Sequence, residues 1–197
     1  LSETCAFEND TRNWLERAVI GLNLCPFAKA VHVRGQVHYA VSHGTDEAAL
    51  LVQLGVELKA LTALSSDVRD TTLLIAPDCL HDFLDFNDFV ARAEDVLGQL
   101  GLEGEIQIAS FHPRYQFART RVDDITNHTN RSPWPMLHLL REASIDRAVQ
   151  SFPDAEEIFG RNILVMQALG PDGWAALNVG PSPRDASRDA DCGKLNP

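Results

Sequence analysis

Residues 132–150 read S-P-W-P-M-L-H-L-L-R-E-A-S-I-D-R-A-V-Q, and the conformation of this stretch decides how the rest of the chain packs. Ser132-Pro133 has the form of a helix start: a capping hydroxyl, then a proline at the first helical position, where its missing N–H is not needed. The pattern predicts a helix from Pro133 to about Gln150. At about 100° per residue, Trp134, Leu137, Leu140, Ser144, Ile145 and Ala148 share one broad face, with Arg141 near its centre. A guanidinium keeps its charge, so that position requires a carboxylate (Asp123, Asp124 or Glu142), a set of carbonyls, or an anionic ligand. His138 and Glu142 stand four residues apart on the margin of the same face. Such a pair serves as a surface hydrogen bond, as a carboxylate orienting an imidazole, or as two ligands of a metal. It is not the two-histidine H-E-x-x-H motif, and no metal site is assigned.

Working outward, Glu105 to Ser110 reads as a strand with Ile106 and Ile108 on one face. Before it, Asn87 looks like the cap of a helix over 88–99, with apolar positions at Phe89, Val90, Ala93, Val96 and Leu97. Thr71 to Ala76 (T-T-L-L-I-A) is a short apolar run of the kind buried in a covered sheet. Thr45 caps a helix whose first turn is acidic through Asp46 and Glu47 and which runs to Leu64. Residues 37–42 alternate as a strand, and 11–21 form a helix ended by Pro26. Beyond residue 150, a helix over 155–169 competes with a strand over 163–168. The order is β-α-β-α-β, which predicts a single α/β domain over residues 1–180. Its sheet should be small, mostly parallel and covered by helices. The strand order is not readable. Residues 181–197 (P-S-P-R-D-A-S-R-D-A-D-C-G-K-L-N-P) read as a solvated tail.

The 197 residues are 45% hydrophobic, enough for one ordinary core, and carry a net charge of −11. The charge is uneven. Residues 109–142 hold five of the 17 basic side chains and three of the 28 acidic ones, so this block is +2 while the rest is −13. No broad basic footprint exists, which argues against nucleic acid as a partner and favours a small anionic ligand held by local arginines. No run of eighteen apolar residues suggests a membrane span, and no signal peptide is visible. Cys5, Cys25, Cys79 and Cys192 form no closely spaced framework, so the cytoplasm is the expected location.

The same block holds the candidate chemistry. His112 follows a strand end, where ligand sites of parallel α/β sheets gather, and Arg114 and Tyr115 come directly after it. The histidine suits a general acid or base, and the arginine an anion clamp. Asp123-Asp124, Asn127, His128, Asn130 and Arg131 form a polar loop before Ser132. That loop is a candidate ligand contact, and Asn127 and Asn130 equally suit turn formation. Cys25, between Leu24 and Pro26, is either a small buried hydrophobe or, facing His112 or His138, a nucleophile. Arg114, Arg131 and Arg141 are expected to point toward one region. Phosphate loops, nucleophile elbows and calcium loops are absent.

Five segments together resemble a bacterial family known only as a domain of unknown function, DUF1415: L-N-L-C-P-F-A at 22–28, T-T-L-L-I at 71–75, F-N-D-F at 86–89, I-A-S-F-H-P-R-Y-Q-F-A at 108–118 and N-R-S-P-W-P-M-L-H-L-L-R-E-A-S-I at 130–145. The resemblance covers roughly residues 10–170. The family pattern carries glycine where Arg119 stands, so the turn after Phe117 is a point of departure. The resemblance implies no activity.

Two functional readings follow. One is a hydrolase or transferase acting on a carboxylated or phosphorylated small molecule. Its catalytic groups would be Cys25, His112, Asp123, His138 and Glu142, and its binding groups Arg114, Tyr115, Asn127, Asn130, Arg131 and Arg141. The other is a non-catalytic module binding a ligand, metal or protein through the same residues. Neither the cofactor nor the oligomeric state is readable from the sequence.

Overall fold

The structure, a computed structural model, describes residues 3–150 and 157–183. The elements are α1 (Glu3–Trp14), continued by a π-helical stretch (Leu15–Ile20), then α2 (Ala28–Val33), β1 (Val37–Val41), α3 (Glu47–Ala63), β2 (Thr71–Ile75) and α4 (Phe83–Gln99). They continue with β3 (Ile106–Phe111), a 3-10 turn (Ile125–Thr129), β4 (Met136–Arg141), α5 (Glu142–Gln150) and α6 (Ile158–Ala176).

The first three strands form where the alternation and the apolar run place them. The helix predicted from Pro133 does not form; β4 stands there instead, followed by α5. The local reason is the Pro133-Trp134-Pro135 sequence. Pro135 drives Trp134 out of the helical region. The Ser132 hydroxyl donates to the Trp134 carbonyl at 2.6 Å and so caps nothing. Trp134 is then buried edge-on to Phe7, with ring centroids 4.9 Å apart.

β4 also changes the sheet. The order is β1-β2-β4-β3; β1 and β2 are parallel, while β4 pairs antiparallel with both β2 and β3. β1, β2 and β3 do share one direction, as β-α-β connections require, but β4 wedges between β2 and β3. The expectation of a mostly parallel sheet is therefore corrected to a mixed sheet with two antiparallel pairings out of three.

One sheet face packs on α3 and α4. Asp46, rather than Thr45, caps α3, its carboxylate accepting from the Ala49 amide at 2.8 Å, and Leu50, Leu54, Leu58 and Leu61 form the buried stripe. Asp82, rather than Asn87, caps α4, accepting from the Leu84 amide at 2.8 Å, so the helix begins at Phe83 and buries Phe86, Phe89, Ala93 and Leu97. The opposite face carries α1 and the π-helical stretch through Phe7, Trp14, Leu15, Ala18 and Val19. Of the two readings beyond residue 150, the helix forms: α6 runs from Ile158 and kinks at Gly170-Pro171. The predicted start of that helix before residue 157 lies outside the described residues, as does most of the predicted tail. Ser182, within that tail, donates to the Asp10 carboxylate from its amide at 3.0 Å and from its hydroxyl. Arg119, where the family pattern carries glycine, has φ +68°, the left-handed region that glycine adopts without strain.

Candidate functional site

Register determines what faces what. On the α1 side of the sheet, Val37, Thr71, Leu140 and Gln107 form one cross-strand row, and Tyr39, Leu73, His138 and Ala109 form the next. His138 therefore stands in a central strand, near the middle of a sheet face. That face is not fully covered. Between it and a roof made by the Cys25–Ala28 loop, α2 and α5 lies a cavity of about 830 Å³. Its inner wall is apolar, through Trp14, Val19, Leu73, Ala109 and Phe111. Its polar groups gather at the end where β1, β2 and β3 begin: Arg34, Asp70, Gln107, Arg141, Ser144 and Arg147. Arg34 and Arg147 are exposed, so this end is the mouth.

His138 is held by Thr71. Its Nε2 lies 2.7 Å from the Thr71 hydroxyl oxygen, which is itself 2.7 Å from the Leu139 carbonyl. Burial of the ring pushes its pKa down to about 4, so the imidazole is neutral at physiological pH. Cys25 lines the same cavity, but no hydrogen bond joins it to His138 or His112, and burial pushes its thiol pKa up. A thiol raised in this way is protonated and a poor nucleophile.

Beside the mouth lies a cluster of charged and polar side chains, buried at Glu57, Arg69, Asp70 and Thr72 and exposed at Arg34 and Arg147. Arg69 pairs with Glu57 of α3 and donates through Nε to the Thr72 hydroxyl at 2.9 Å. Asp70 accepts from the Ser144 hydroxyl at 2.6 Å, and Ser144 in turn accepts from Arg147 at 2.9 Å. Arg34 donates through Nε to the Gln36 side-chain oxygen at 2.7 Å.

The other residues singled out from sequence fall elsewhere. His112 is fully buried between Phe83 and Phe86, with Nε2 on the Leu80 carbonyl at 3.0 Å and Nδ1 accepting the Arg114 amide at 3.0 Å; burial lowers its pKa. Both of its nitrogens are committed to the backbone. Arg114 reaches the His81 carbonyl and, at 3.2 Å, the Asp82 carboxylate, while the Tyr115 ring meets Phe83 at a tilt and Phe117 edge-on. Asp123 is exposed and pairs with Arg121 at 3.0 Å. Asn127 is fully buried, accepting from the Phe117 amide and Thr120 hydroxyl and donating to the Arg121 carbonyl, so it shapes the loop. Asn130 donates to the Ser110 carbonyl at 3.4 Å. Arg131 is spent on the Tyr115 and Val122 carbonyls at 3.1 and 2.7 Å. Glu142 begins α5, and with His138 on a strand the two no longer share a helix face.

Arg114, Arg131 and Arg141 thus serve three different places, and the expected convergence of the three does not occur. Of the eleven predicted site residues, the cavity brings together Cys25, His138 and Arg141. Sequence reasoning missed Thr71, Asp70, Ser144 and Arg34. The available signal was Thr71, a hydroxyl opening an otherwise apolar buried strand.

Arg141 does find carbonyls, one of the three partners its chemistry requires. Its head donates to the carbonyls of Leu61, of Leu64 at 2.7 Å and of Arg69 at 3.0 Å, closing the C-terminal end of α3. Arg141→Leu keeps the stem's bulk and is expected to cost about 2 kcal/mol in urea unfolding, because those carbonyls lose a charged donor. A variant as stable as the parent would show that water replaces the guanidinium without loss.

Among the described residues, no group of three or more His, Cys, Asp or Glu is placed to hold a metal ion, and no helix is long and apolar enough to cross a membrane. A search of curated proteins and a search of solved structures each find no match. One family does match, over residues 6–176, and is described as "Protein of unknown function (DUF1415)". With that match spanning most of its length, the chain belongs to the DUF1415 family.

Proposed function

We propose that the protein is a non-catalytic binding module for a small amphiphilic anion, whose apolar body fills the cavity over the sheet and whose charged head sits at the mouth. The cavity itself carries this reading: a chamber of about 830 Å³ with an apolar inner wall and polar groups gathered at one end is the form of a small-molecule site. The sign of the head follows from the mouth, where among the described residues Arg34 and Arg147 stand with one acid, Asp70, while the Arg141 head is turned to the carbonyls at the end of α3, in a chain of net charge −11. Such a mouth attracts anions locally although the body repels them. Catalysis is less well supported, since the raised thiol of Cys25 meets no base and His112 is occupied on both nitrogens.

The test uses 1-anilinonaphthalene-8-sulfonate, an apolar ring system bearing one anionic group. Its fluorescence is expected to rise on binding the native protein with a single saturable site. Ala109 lies beside His138 on the cavity floor, so Ala109→Trp should weaken binding at least about tenfold by filling the space, at unchanged helicity. Arg34→Glu should weaken it several-fold, and more at low salt than at high. Equal affinity in parent and Ala109→Trp would place the dye elsewhere and overturn the reading.

A further inference from the structure

The hydrogen bonds beneath the cavity define what His138 offers to it. The Thr71 hydroxyl has one proton and two close neighbours, the Leu139 carbonyl and His138 Nε2, each at 2.7 Å. A carbonyl only accepts, and two oxygens at that distance with no proton between them repel, so the hydroxyl proton lies on Leu139. The oxygen then accepts from Nε2–H. This leaves Nδ1 as a bare acceptor, and it has no hydrogen-bond partner among the described residues. The groups around it on the sheet face are Leu73, Ala109 and Leu140, which carry no side-chain donor. A water on Nδ1 would find few of the two to four partners that hold a buried water in place, so a ligand's donor displaces it at little cost.

Resting on the reading of the cavity as a ligand site, we infer that the ligand is a hydroxylated apolar acid, or its N–H counterpart, which donates a hydrogen bond to His138 Nδ1. The row holding His138 lies two residues along β4 from the row at the mouth, about 7 Å at the usual strand rise. The donor group and the anionic head should therefore be separated by roughly that distance or slightly more. Thr71 acts here as a positioning residue, since its oxygen fixes which imidazole nitrogen carries the proton.

The experiment compares 3-(4-hydroxyphenyl)propanoate with 3-phenylpropanoate and with the methyl ether of the first, each displacing the naphthalene sulfonate probe. The hydroxylated acid is expected to bind roughly tenfold more tightly than either analogue, because each leaves Nδ1 without a donor. In His138→Phe the preference for the hydroxylated acid over the unsubstituted one should vanish. Nitrogen-15 spectra of the ligand-free protein should show the tautomer protonated at Nε2, and the Nδ1 resonance should move only with the hydroxylated acid. Equal binding of the three acids to the parent, a preference that survives in His138→Phe, or a tautomer protonated at Nδ1 would each overturn the inference. If His138→Phe does not fold, the matched acids and the spectra of the parent decide alone. Binding of the probe but of none of the acids removes the hydroxylated acid and leaves the cavity reading standing. Failure of the probe as well removes both.

Discussion

Arg69→Leu is expected to destabilise the fold by about 3–5 kcal/mol, the largest effect of any single substitution considered. Arg69 is 7% exposed, and its guanidinium pairs with the Glu57 carboxylate, which α3 buries against the sheet. Leucine fills much of the space and removes the charge, stranding the Glu57 carboxylate. The Gln53 amide, at 2.9 Å, remains to it; His38, at 3.7 Å, is half-exposed and offers little compensation. Thr72 also loses the donor that its hydroxyl oxygen accepts at 2.9 Å. The cost is that of an unpaired buried charge rather than of the pair itself, so Arg69→Leu combined with Glu57→Leu should recover most of the loss. Urea unfolding of the parent, both single variants and the double variant gives the cycle. A single variant within about 1 kcal/mol of the parent would mean that solvent reaches Glu57.

Acidification should unfold the protein in part through His138. Its pKa is about 4 in the folded state against an ordinary 6.5, so the unfolded chain binds the extra proton between those values and the folded one does not. Stability therefore falls as pH drops from about 6.5 toward 4, by up to about 3 kcal/mol from this residue, and its contribution is fully present above 6.5. His38, His112 and His128 are shifted the same way by burial and add to the slope. His138→Phe should flatten the profile by its share while leaving the slope that the other three contribute. Parallel profiles for parent and variant, measured as urea unfolding between pH 4 and 7.5, would mean that the ring titrates freely in the folded protein.

How far the chain discloses its structure varies with the range of the interactions involved. β1, β2 and β3 were legible because each stands in a local pattern, an alternation or a short apolar run bounded by polar residues. α3 was legible because a polar residue and an acidic turn precede leucines at helical spacing, although the cap is Asp46 and not Thr45. β4 was not. Met136, Leu137, Leu139 and Leu140 all favour helices when considered locally, and a strand buried on both faces shows no alternation to contradict them. The neighbours on either side of it, β2 and β3, supply hydrogen bonds to both edges of the segment and outweigh its propensity.

The site divides in the same way. Residue types alone show that Arg141 requires a fixed partner and that His138 merits attention. Their partners, the end of α3 and Thr71, lie 67 to 80 positions away in sequence, and only the register of β4 against β2 brings them together. The density of polar groups between residues 109 and 131 proved a poor guide to the cavity, because a long irregular loop must satisfy its own carbonyls and amides. Asn127 and Arg131 spend their side chains doing so. By itself the sequence determined the helix-covered α/β character, three strands and the family. The tertiary structure alone decided the mixed sheet, the cavity over it and the placing of His138 against Thr71, because each depends on contacts between strands that no local spacing encodes.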